Sequence, residues 1–227
     1  FKNPSNGSLG IGHVRWATHG IPSQVNAHPH SSDEVSVVHN GIIENSNELK
    51  KDLEKKGYKF KSQTDTEVIT NLLTDFLKGF DLVDAINKTL KTLNGSFALG
   101  ILFKKFDNIV VGARRGSPLA VGYGPEENYL GSDSYALKTM TNKITYLDDG
   151  DVCILTNNRI EFYNSKNKKI NKEILTLSDD KHTAEKGDYK NFMSKEINEQ
   201  DITVKTCVKE YVDQLRQDIN LYNFPII

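Results

Sequence analysis

The chain has 227 residues, enough for one sizeable domain with an appendage. Its 29 basic and 30 acidic residues nearly cancel, so composition gives no electrostatic reason to expect nucleic acid or an anionic membrane as a partner. No apolar run approaches the roughly 20 residues that span a bilayer, and the first residues show no signal-peptide pattern. We therefore expect a cytoplasmic protein.

The first predicted elements are two strands. Residues 11–18 alternate small or apolar side chains with larger polar ones, the spacing of a strand. Residues 35–39 predict a second strand, and the pair Asn40-Gly41 after it predicts a sharp turn, because both residues tolerate positive φ.

Three helices are predicted next, from apolar positions three or four residues apart. They begin near Asn45, Thr64 and Asp81, and the first two have a glutamate three residues later, as in a capping box. Strand-like alternation then resumes, and helices over residues 192–199 and 204–215 end the pattern. Strands on both sides of a helical block favour an α+β domain over a parallel βαβ fold.

The two cysteines each lie in an apolar pattern. Cys153 belongs to a predicted buried strand, and Cys207 joins Val204, Val208 and Val212, which recur at helical spacing. We expect two packed thiols in a reducing compartment, without a disulfide.

Five of the six histidines lie in the first 40 residues: His13, His19, His28, His30 and His39. One interpretation is that backbone hydrogen bonds satisfy them. A second is a metal-dependent hydrolase that uses the chelate-like spacing of His28 and His30. No acidic residue interleaves with them and Pro29 restricts their ring directions, so we expect neither a metal nor another cofactor.

A third interpretation rests on a resemblance. Four blocks are similar, in order and spacing, to the glutaminase half of the glucosamine-6-phosphate synthase family of class II glutamine amidotransferases: residues 13–20 (HVRWATHG), 26–30 (NAHPH), 39–45 (HNGIIEN) and 64–67 (TDTE). Later blocks also fit, so the resemblance extends from about residue 9 to residue 200.

The resemblance implies an α+β fold of the N-terminal-nucleophile type. This fold is a four-layer αββα sandwich of two antiparallel sheets, and we expect it to be incomplete at the N-terminus here. The implied activity is hydrolysis of glutamine to glutamate and ammonia for glucosamine-6-phosphate synthesis, by an N-terminal cysteine whose own α-amine serves as base. Neither Cys153 nor Cys207 matches that cysteine. The alternative is a truncated or degenerate domain that catalyses nothing.

The resemblance also implies an oxyanion hole and a gate. The side-chain amide of Asn40 and the backbone N–H of Gly41 match the donors that stabilise the negative oxygen of a tetrahedral intermediate. Without the resemblance, the same pair would be interpreted as an ordinary turn. Trp16 resembles the residue that gates the family's ammonia channel.

Recognition of the substrate, L-glutamine, is implied for four residues. Arg15 resembles the residue that binds the α-carboxylate of glutamine, a group that suits a guanidinium fork. Thr18 and His19 resemble its hydrogen-bonding neighbours, and Asp65 resembles the carboxylate that holds the α-ammonium. Taken alone, Asp65 would be interpreted as a helix cap.

The domain organisation follows from the same comparison. Residues 1–200 match the amidotransferase domain, and residues 201–227 are predicted to be a C-terminal helix and tail. The sequence contains no sugar-isomerase domain, so fructose-6-phosphate would be used only through domains absent from it. The resemblance also implies a homodimer in the full-length protein. Arg115 stands where the family has serine, which predicts an altered loop.

Overall fold

The computed structural model describes residues 7–15, 19–177, 186–213 and 218–219. The chain divides into two compact units, residues 1–178 and 179–227. Each unit is described here by itself.

The first unit contains two antiparallel sheets. Its strands are β1 (His30–Ser31), β2 (Val35–Ile43), β3 (Gly95–Phe103), β4 (Val110–Arg115), β5 (Ala120–Tyr123), β6 (Asn128–Gly131), β7 (Lys143–Tyr146), β8 (Val152–Leu155), β9 (Ile160–Tyr163), β10 (Lys169–Ile170) and β11 (Leu175–Thr176). The larger sheet has the order β1-β2-β3-β4-β8-β9-β10, and the smaller has the order β11-β7-β5-β6. All of these neighbours pair antiparallel.

The longest pairing joins β2 to β3, from Val35 opposite Phe103 to Ile43 opposite Gly95. The turn predicted at Asn40-Gly41 is therefore wrong, because the ladder to β3 continues beyond both residues. Gly41 has a φ of 128°, and a Cβ there would lie 2.1 Å from the carbonyl oxygen of Ser96. Only glycine fits that approach of the two strands.

Three helices cover one face of the larger sheet: α1 (Ser46–Lys55), α2 (Glu67–Phe76) and α3 (Leu82–Thr92). Alternate residues of β2 and β3 point toward them, so Val37, Phe97 and Leu99 are buried against helix residues such as Leu73 and Ile86. The three predicted helices are confirmed, and their apolar stripes form the main core.

The predicted capping boxes of α1 and α2 are wrong. The side chain of Asn45 instead accepts from the N–H of Asn94 and donates to the carbonyl of Thr92, which fixes the connection from α3 to β3. The Glu67 carboxylate accepts from the backbone N–H and the hydroxyl of Ser62. Both side chains stabilise neighbouring loops, because those loops carry backbone groups that need partners.

The opposite face of the larger sheet packs on the smaller one. The buried residues between the sheets include Ala98, Val121, Leu147, Cys153 and Phe162. The residue before Val121 in β5, Ala120, points the other way and packs with Leu137 of the one-turn helix α4 (Ser134–Leu137). The predicted α+β sandwich of two antiparallel sheets is confirmed.

The strand predicted over residues 11–18 is wrong for residues 11–15, which adopt an irregular path. A strand needs a hydrogen-bonded neighbour, and neither sheet includes this segment within the described part of the chain. Residues 16–18, with Trp16 and Thr18, lie outside the described residues.

The second unit contains one long helix, α5 (Phe192–Tyr211), and a two-residue pairing of β12 (Val212–Asp213) with β13 (Asp218–Ile219). The two separate helices predicted here are wrong, because residues 200–203 include neither glycine nor proline to interrupt the helix. The domain limit predicted at residue 200 lies inside α5 and stays a prediction.

The two cysteines have different surroundings, and both thiols are free. Cys153 is buried as predicted, and burial raises its pKa to about 12. Cys207 is exposed on α5, so the prediction that it packs is wrong. None of the described helices is long and apolar enough to cross a membrane.

Arg115, at the end of β4, binds the C-terminal end of α3. Its guanidinium donates to the carbonyl oxygens of Leu93 at 2.7 Å and Leu90 at 2.9 Å, and it lies 5.0 Å from the centre of the Phe97 ring. A cation at this end of a helix satisfies unpaired carbonyls and opposes the helix dipole. We infer that Arg115 connects α3 to β4.

Arg115→Ser should therefore lower the free energy of unfolding by about 1–2 kcal/mol, because it removes charge-assisted hydrogen bonds to two carbonyl groups. Arg159→Ser is the matched control, since Arg159 is exposed in a surface ion pair with Glu161 and its loss should cost less than ~0.5 kcal/mol. Urea unfolding of the three proteins tests this. If both variants lost the same free energy of unfolding, the role of Arg115 as a cap of α3 would be contradicted.

Candidate active site

A small cavity of about 100 Å³ lies where the end of β2 meets the loop before α2 and the segment around His13. The residues that line it are His13, Arg15, His28, His39, Asn40, Gly41, Thr64, Asp65 and Thr66. Polar and charged groups dominate this lining, unlike the core on either side of the larger sheet. The cavity therefore suits the polar groups of a small ligand.

Asp65 supplies the negative charge. Its side chain is 5% exposed, and its Oδ2 accepts a hydrogen bond of 2.7 Å from the backbone N–H of Ile43. Its other oxygen, Oδ1, lies 3.8 Å from Nδ1 of His19. The bond to Ile43 fixes the carboxylate against the end of β2, so one oxygen has a structural partner while the group still borders the cavity.

Arg15 supplies the positive charge. Its Nη2 donates to the carbonyl oxygen of His19 at 2.8 Å, and its backbone N–H donates to Nδ1 of His13 at 2.9 Å. The φ of Arg15 is 57°, in the left-handed region that residues other than glycine seldom occupy. Such backbone strain is concentrated at functional sites in proteins. The cavity thus borders a guanidinium group and a carboxylate together.

Asn40 and Gly41 lie side by side in the second half of β2. The Oδ1 of Asn40 is 2.7 Å from Nε2 of His13, and its Nδ2 donates to the hydroxyl of Ser132 at 3.3 Å. An exposed asparagine held from two directions presents its amide in a defined orientation. Gly41 brings the backbone to the cavity wall without a side chain.

Three of the lining residues form a closed ring of hydrogen bonds. The backbone N–H of His39 donates to Nδ1 of His28 at 3.1 Å, and Nε2 of His28 lies 3.4 Å from the hydroxyl of Thr66. That hydroxyl lies 2.9 Å from Nδ1 of His39. The ring joins the loop of residues 26–30 to β2 and to the start of α2. A backbone bond thus satisfies Nδ1 of His28, whereas a side-chain hydroxyl is the partner of its Nε2.

These buried histidines favour the uncharged form. Burial lowers the pKa of His28 to about 3, and its neighbours His13, His30 and His39 oppose a further positive charge. Burial also lowers the pKa of His30 and of His39, although Asp65 acts in the opposite direction on both. The two lining histidines His28 and His39 thus favour the neutral form.

The structure brings together four of the predicted site residues: Arg15, Asn40, Gly41 and Asp65. His19 lies beside Asp65 without lining the cavity. Trp16 and Thr18 lie outside the described residues, so their roles stay predictions.

Further lining residues were not predicted as site residues: His13, His28, His39, Thr64 and Thr66. All five lie inside the sequence blocks that carry the resemblance, and clustering of histidines was the available signal. Ser132, which holds Asn40, lies 92 residues away in sequence. Only the fold brings it to the site.

The metal-site alternative finds no support in the contacts of His28 and His30. Both nitrogens of His28 already take part in the closed ring of hydrogen bonds, and Nε2 of His30 lies 3.0 Å from the hydroxyl of Thr64. Across the described part of the chain, no group of three or more histidine, cysteine or acidic side chains is arranged to hold a metal ion.

The neutral histidines predict a pH dependence of stability. A histidine with a lowered native pKa binds fewer protons than in the unfolded chain, so its stabilising effect is complete above about pH 6.5 and declines as the pH falls toward 3. The slope is at most about 1.4 kcal/mol per pH unit for each such histidine.

His28→Asn should reduce that slope between pH 6.5 and 4.5, because asparagine can still accept from the N–H of His39 but does not titrate. Urea unfolding at several pH values measures it. An unchanged slope would mean that His28 is not held neutral in the native state.

Comparisons with known proteins agree with this geometry. A family profile described as "Glutamine amidotransferase domain" matches residues 13–139, more than half of the chain. Proteins named glutamine–fructose-6-phosphate aminotransferase (isomerizing) are 46% identical over 93% of the chain in Mesorhizobium japonicum and 49% identical over 88% in Clostridium acetobutylicum. The chain spans only about 35% and 33% of their respective lengths.

A solved structure also resembles this chain. Glutamine phosphoribosylpyrophosphate amidotransferase from B. subtilis, complexed with ADP and GMP, superposes with a TM-score of 0.56 at 26% identity. The match covers 67% of this chain and 34% of that one. The chain therefore belongs to the glutamine amidotransferase domain family, and it is homologous to the glutaminase part of glutamine–fructose-6-phosphate aminotransferases.

Proposed function

We propose that the domain hydrolyses glutamine to glutamate and ammonia, as the glutaminase part of a glutamine–fructose-6-phosphate aminotransferase. The observation that carries the proposal is that Arg15, Asp65 and the pair Asn40-Gly41 meet at one cavity although they come from three separate segments of the sequence. The ammonia would be used on fructose-6-phosphate in isomerase domains that lie outside this sequence. A homodimeric full-length protein and a cytoplasmic location stay predictions.

The two charged groups suit the two ends of a free amino acid. A guanidinium fork binds a carboxylate through two parallel hydrogen bonds, which matches the α-carboxylate of glutamine. The carboxylate of Asp65 matches the α-ammonium, and its bond to Ile43 holds it in place before substrate arrives. Recognition of both ends would select free glutamine over a glutamine residue in a peptide.

Asn40 and Gly41 suit the charge that develops during hydrolysis. Attack on the side-chain amide of glutamine creates a tetrahedral intermediate with a negative oxygen. Donors held in fixed positions stabilise that oxygen more than they stabilise the substrate. We assign this role to the Asn40 amide and the Gly41 backbone N–H.

The nucleophile is assigned to the family's N-terminal cysteine, and neither described cysteine suits the role. Cys153 is fully buried between the sheets with a pKa of about 12, so its thiolate is scarce at neutral pH. Cys207 lies on the exposed helix of the other unit. The alternative of a degenerate domain gains no support from the cavity, which is lined by Arg15, Asp65, Asn40 and Gly41.

Substitutions should separate binding from turnover. Arg15→Ala and Asp65→Asn should each raise KM for glutamine roughly ten- to hundredfold, because each leaves one charged end of the substrate unpaired, at a cost of about 1.5–3 kcal/mol. Asparagine at position 65 can still accept from Ile43, which keeps the loop in place. Steady-state glutaminase assays of the full-length protein measure both constants.

Asn40→Ala should instead lower kcat by roughly 10²–10³ with little change in KM, since its donor acts mainly on the developing charge. Asp52→Asn, at an exposed position on α1, is the control and should behave as the parent protein. Normal glutamine binding by Arg15→Ala, or the parent kcat in Asn40→Ala, would overturn these assignments.

The cysteines give an independent prediction. Iodoacetamide should modify Cys207 quickly and Cys153 only after unfolding, because one thiol is exposed and the other is buried. An electrophilic glutamine analogue should modify neither of them in the active full-length protein. Mass spectrometry of peptides locates the adducts, and rapid labelling of Cys153 by the analogue would contradict its assignment to the core.

A further inference from the structure

His13 has a fixed hydrogen-bonding role at one ring nitrogen. The backbone N–H of Arg15 donates to Nδ1 of His13 at 2.9 Å. A backbone N–H can only donate, so Nδ1 must present its lone pair. In the neutral imidazole the hydrogen then resides on Nε2. The tautomer of His13 follows from the backbone alone.

That tautomer determines the orientation of Asn40. Nε2 of His13 lies 2.7 Å from the side-chain amide of Asn40. Because Nε2–H is a donor, it requires the amide oxygen, and a rotated amide would place two donors against each other. The Nδ2 donors of Asn40 therefore face away from His13, and the hydroxyl of Ser132 accepts at most one of its two hydrogens, at 3.3 Å.

We propose that His13 is a positioning residue that fixes the amide of Asn40 with its N–H donors available to the negative oxygen of the intermediate. The inference rests on the proposed glutaminase function, in which Asn40 is that donor. His13 does not touch the reacting atoms in this role. Its two hydrogen bonds instead link the backbone of Arg15, the proposed partner of the substrate carboxylate, to Asn40. Asn40 is the proposed donor to the oxygen of the substrate's side-chain amide.

Two substitutions of His13 each remove one of its two hydrogen bonds and keep the other. Glutamine places an amide N–H near the position of Nε2, so His13→Gln keeps a donor to Asn40 and loses the acceptor for Arg15. Asparagine places its oxygen near Nδ1, so His13→Asn keeps the acceptor and has no group that reaches Asn40. The pair has nearly the same polarity, and each variant controls for the other.

Glutaminase kinetics of the full-length protein are the first test. His13→Asn should lower kcat roughly ten- to hundredfold with an unchanged KM, and His13→Gln should stay within about threefold of the parent kcat. In the Asn40→Ala background, His13→Asn should cause no further loss, because the group that it orients is absent. Thermal unfolding of each variant verifies folding.

Three results would overturn the proposal. A higher KM with unchanged kcat in His13→Asn would mean that the histidine serves the Arg15 segment. Losses that multiply in the double variant would mean that His13 acts independently of Asn40. Equal losses of kcat in His13→Gln and His13→Asn would mean that the donor at Nε2 is unimportant.

A second measurement does not depend on activity. The ¹⁵N shifts of the histidine rings report which nitrogen is protonated, and the signal lost in His13→Asn assigns His13. Hydrogen on Nε2, with an unprotonated Nδ1, supports the proposal, whereas hydrogen on Nδ1 overturns it. If the parent protein releases no glutamate from glutamine, the proposed function fails, and the ring measurement still decides the orientation of Asn40.

Discussion

The register of β2 against β3 is the constraint on which the site depends. Asn40 lies opposite Ala98 and Gly41 opposite Phe97. The side chain of Phe97 is buried in the core beneath the helices. Packing of that ring therefore holds the backbone that carries Asn40 and Gly41. Because side chains alternate along a strand, a slip of one residue would send Asn40 to the opposite face of the sheet.

A second link joins this strand to the helices. The carboxylate of Asp65 binds the N–H of Ile43, at the end of β2, and the loop that carries Asp65 leads directly into α2. The apolar stripe of α2 packs on the same sheet, so burial of Val68 and Leu73 also sets the distance between the carboxylate and the strand. The contacts that stabilise the fold therefore also fix the geometry of the site.

His28 and His39 act as rigid polar packing at the site more than as titrating groups. An imidazole has a hydrogen-bonding atom on each side of a flat ring, so it can join two backbone segments while filling the space between them. The low pKa of His28 means that this role is kept across the neutral range. A lysine or arginine could not replace it, since its charge would remain buried without a partner.

Much of the fold followed from the sequence. The three central helices were predicted because their apolar residues recur three or four positions apart in the sequence. The two antiparallel sheets were expected from the family resemblance. The sharp turn at Asn40-Gly41 was wrong because propensity alone does not reveal that β3 continues the ladder. The capping boxes failed for a similar reason, since Asn45 and Glu67 had more distant partners.

The site was partly predicted. Arg15, Asn40, Gly41 and Asp65 were identified from resemblance, and the structure brings them to one cavity. Which atoms of the histidines bond to one another could not be predicted, because it depends on ring orientations that only the packed loops define. The contact between Asn40 and Ser132 likewise requires the fold.

Gly41 sets a limit on what mutagenesis can reveal. The group proposed to act there is a backbone N–H, which every residue except proline would retain. Yet any side chain would meet the Ser96 carbonyl at 2.1 Å and separate β2 from β3. An inactive Gly41→Ala protein would therefore report a displaced strand and say nothing of the donor. Replacing the single amide by an ester, through chemical synthesis or ligation, removes the hydrogen and leaves the ladder's shape intact.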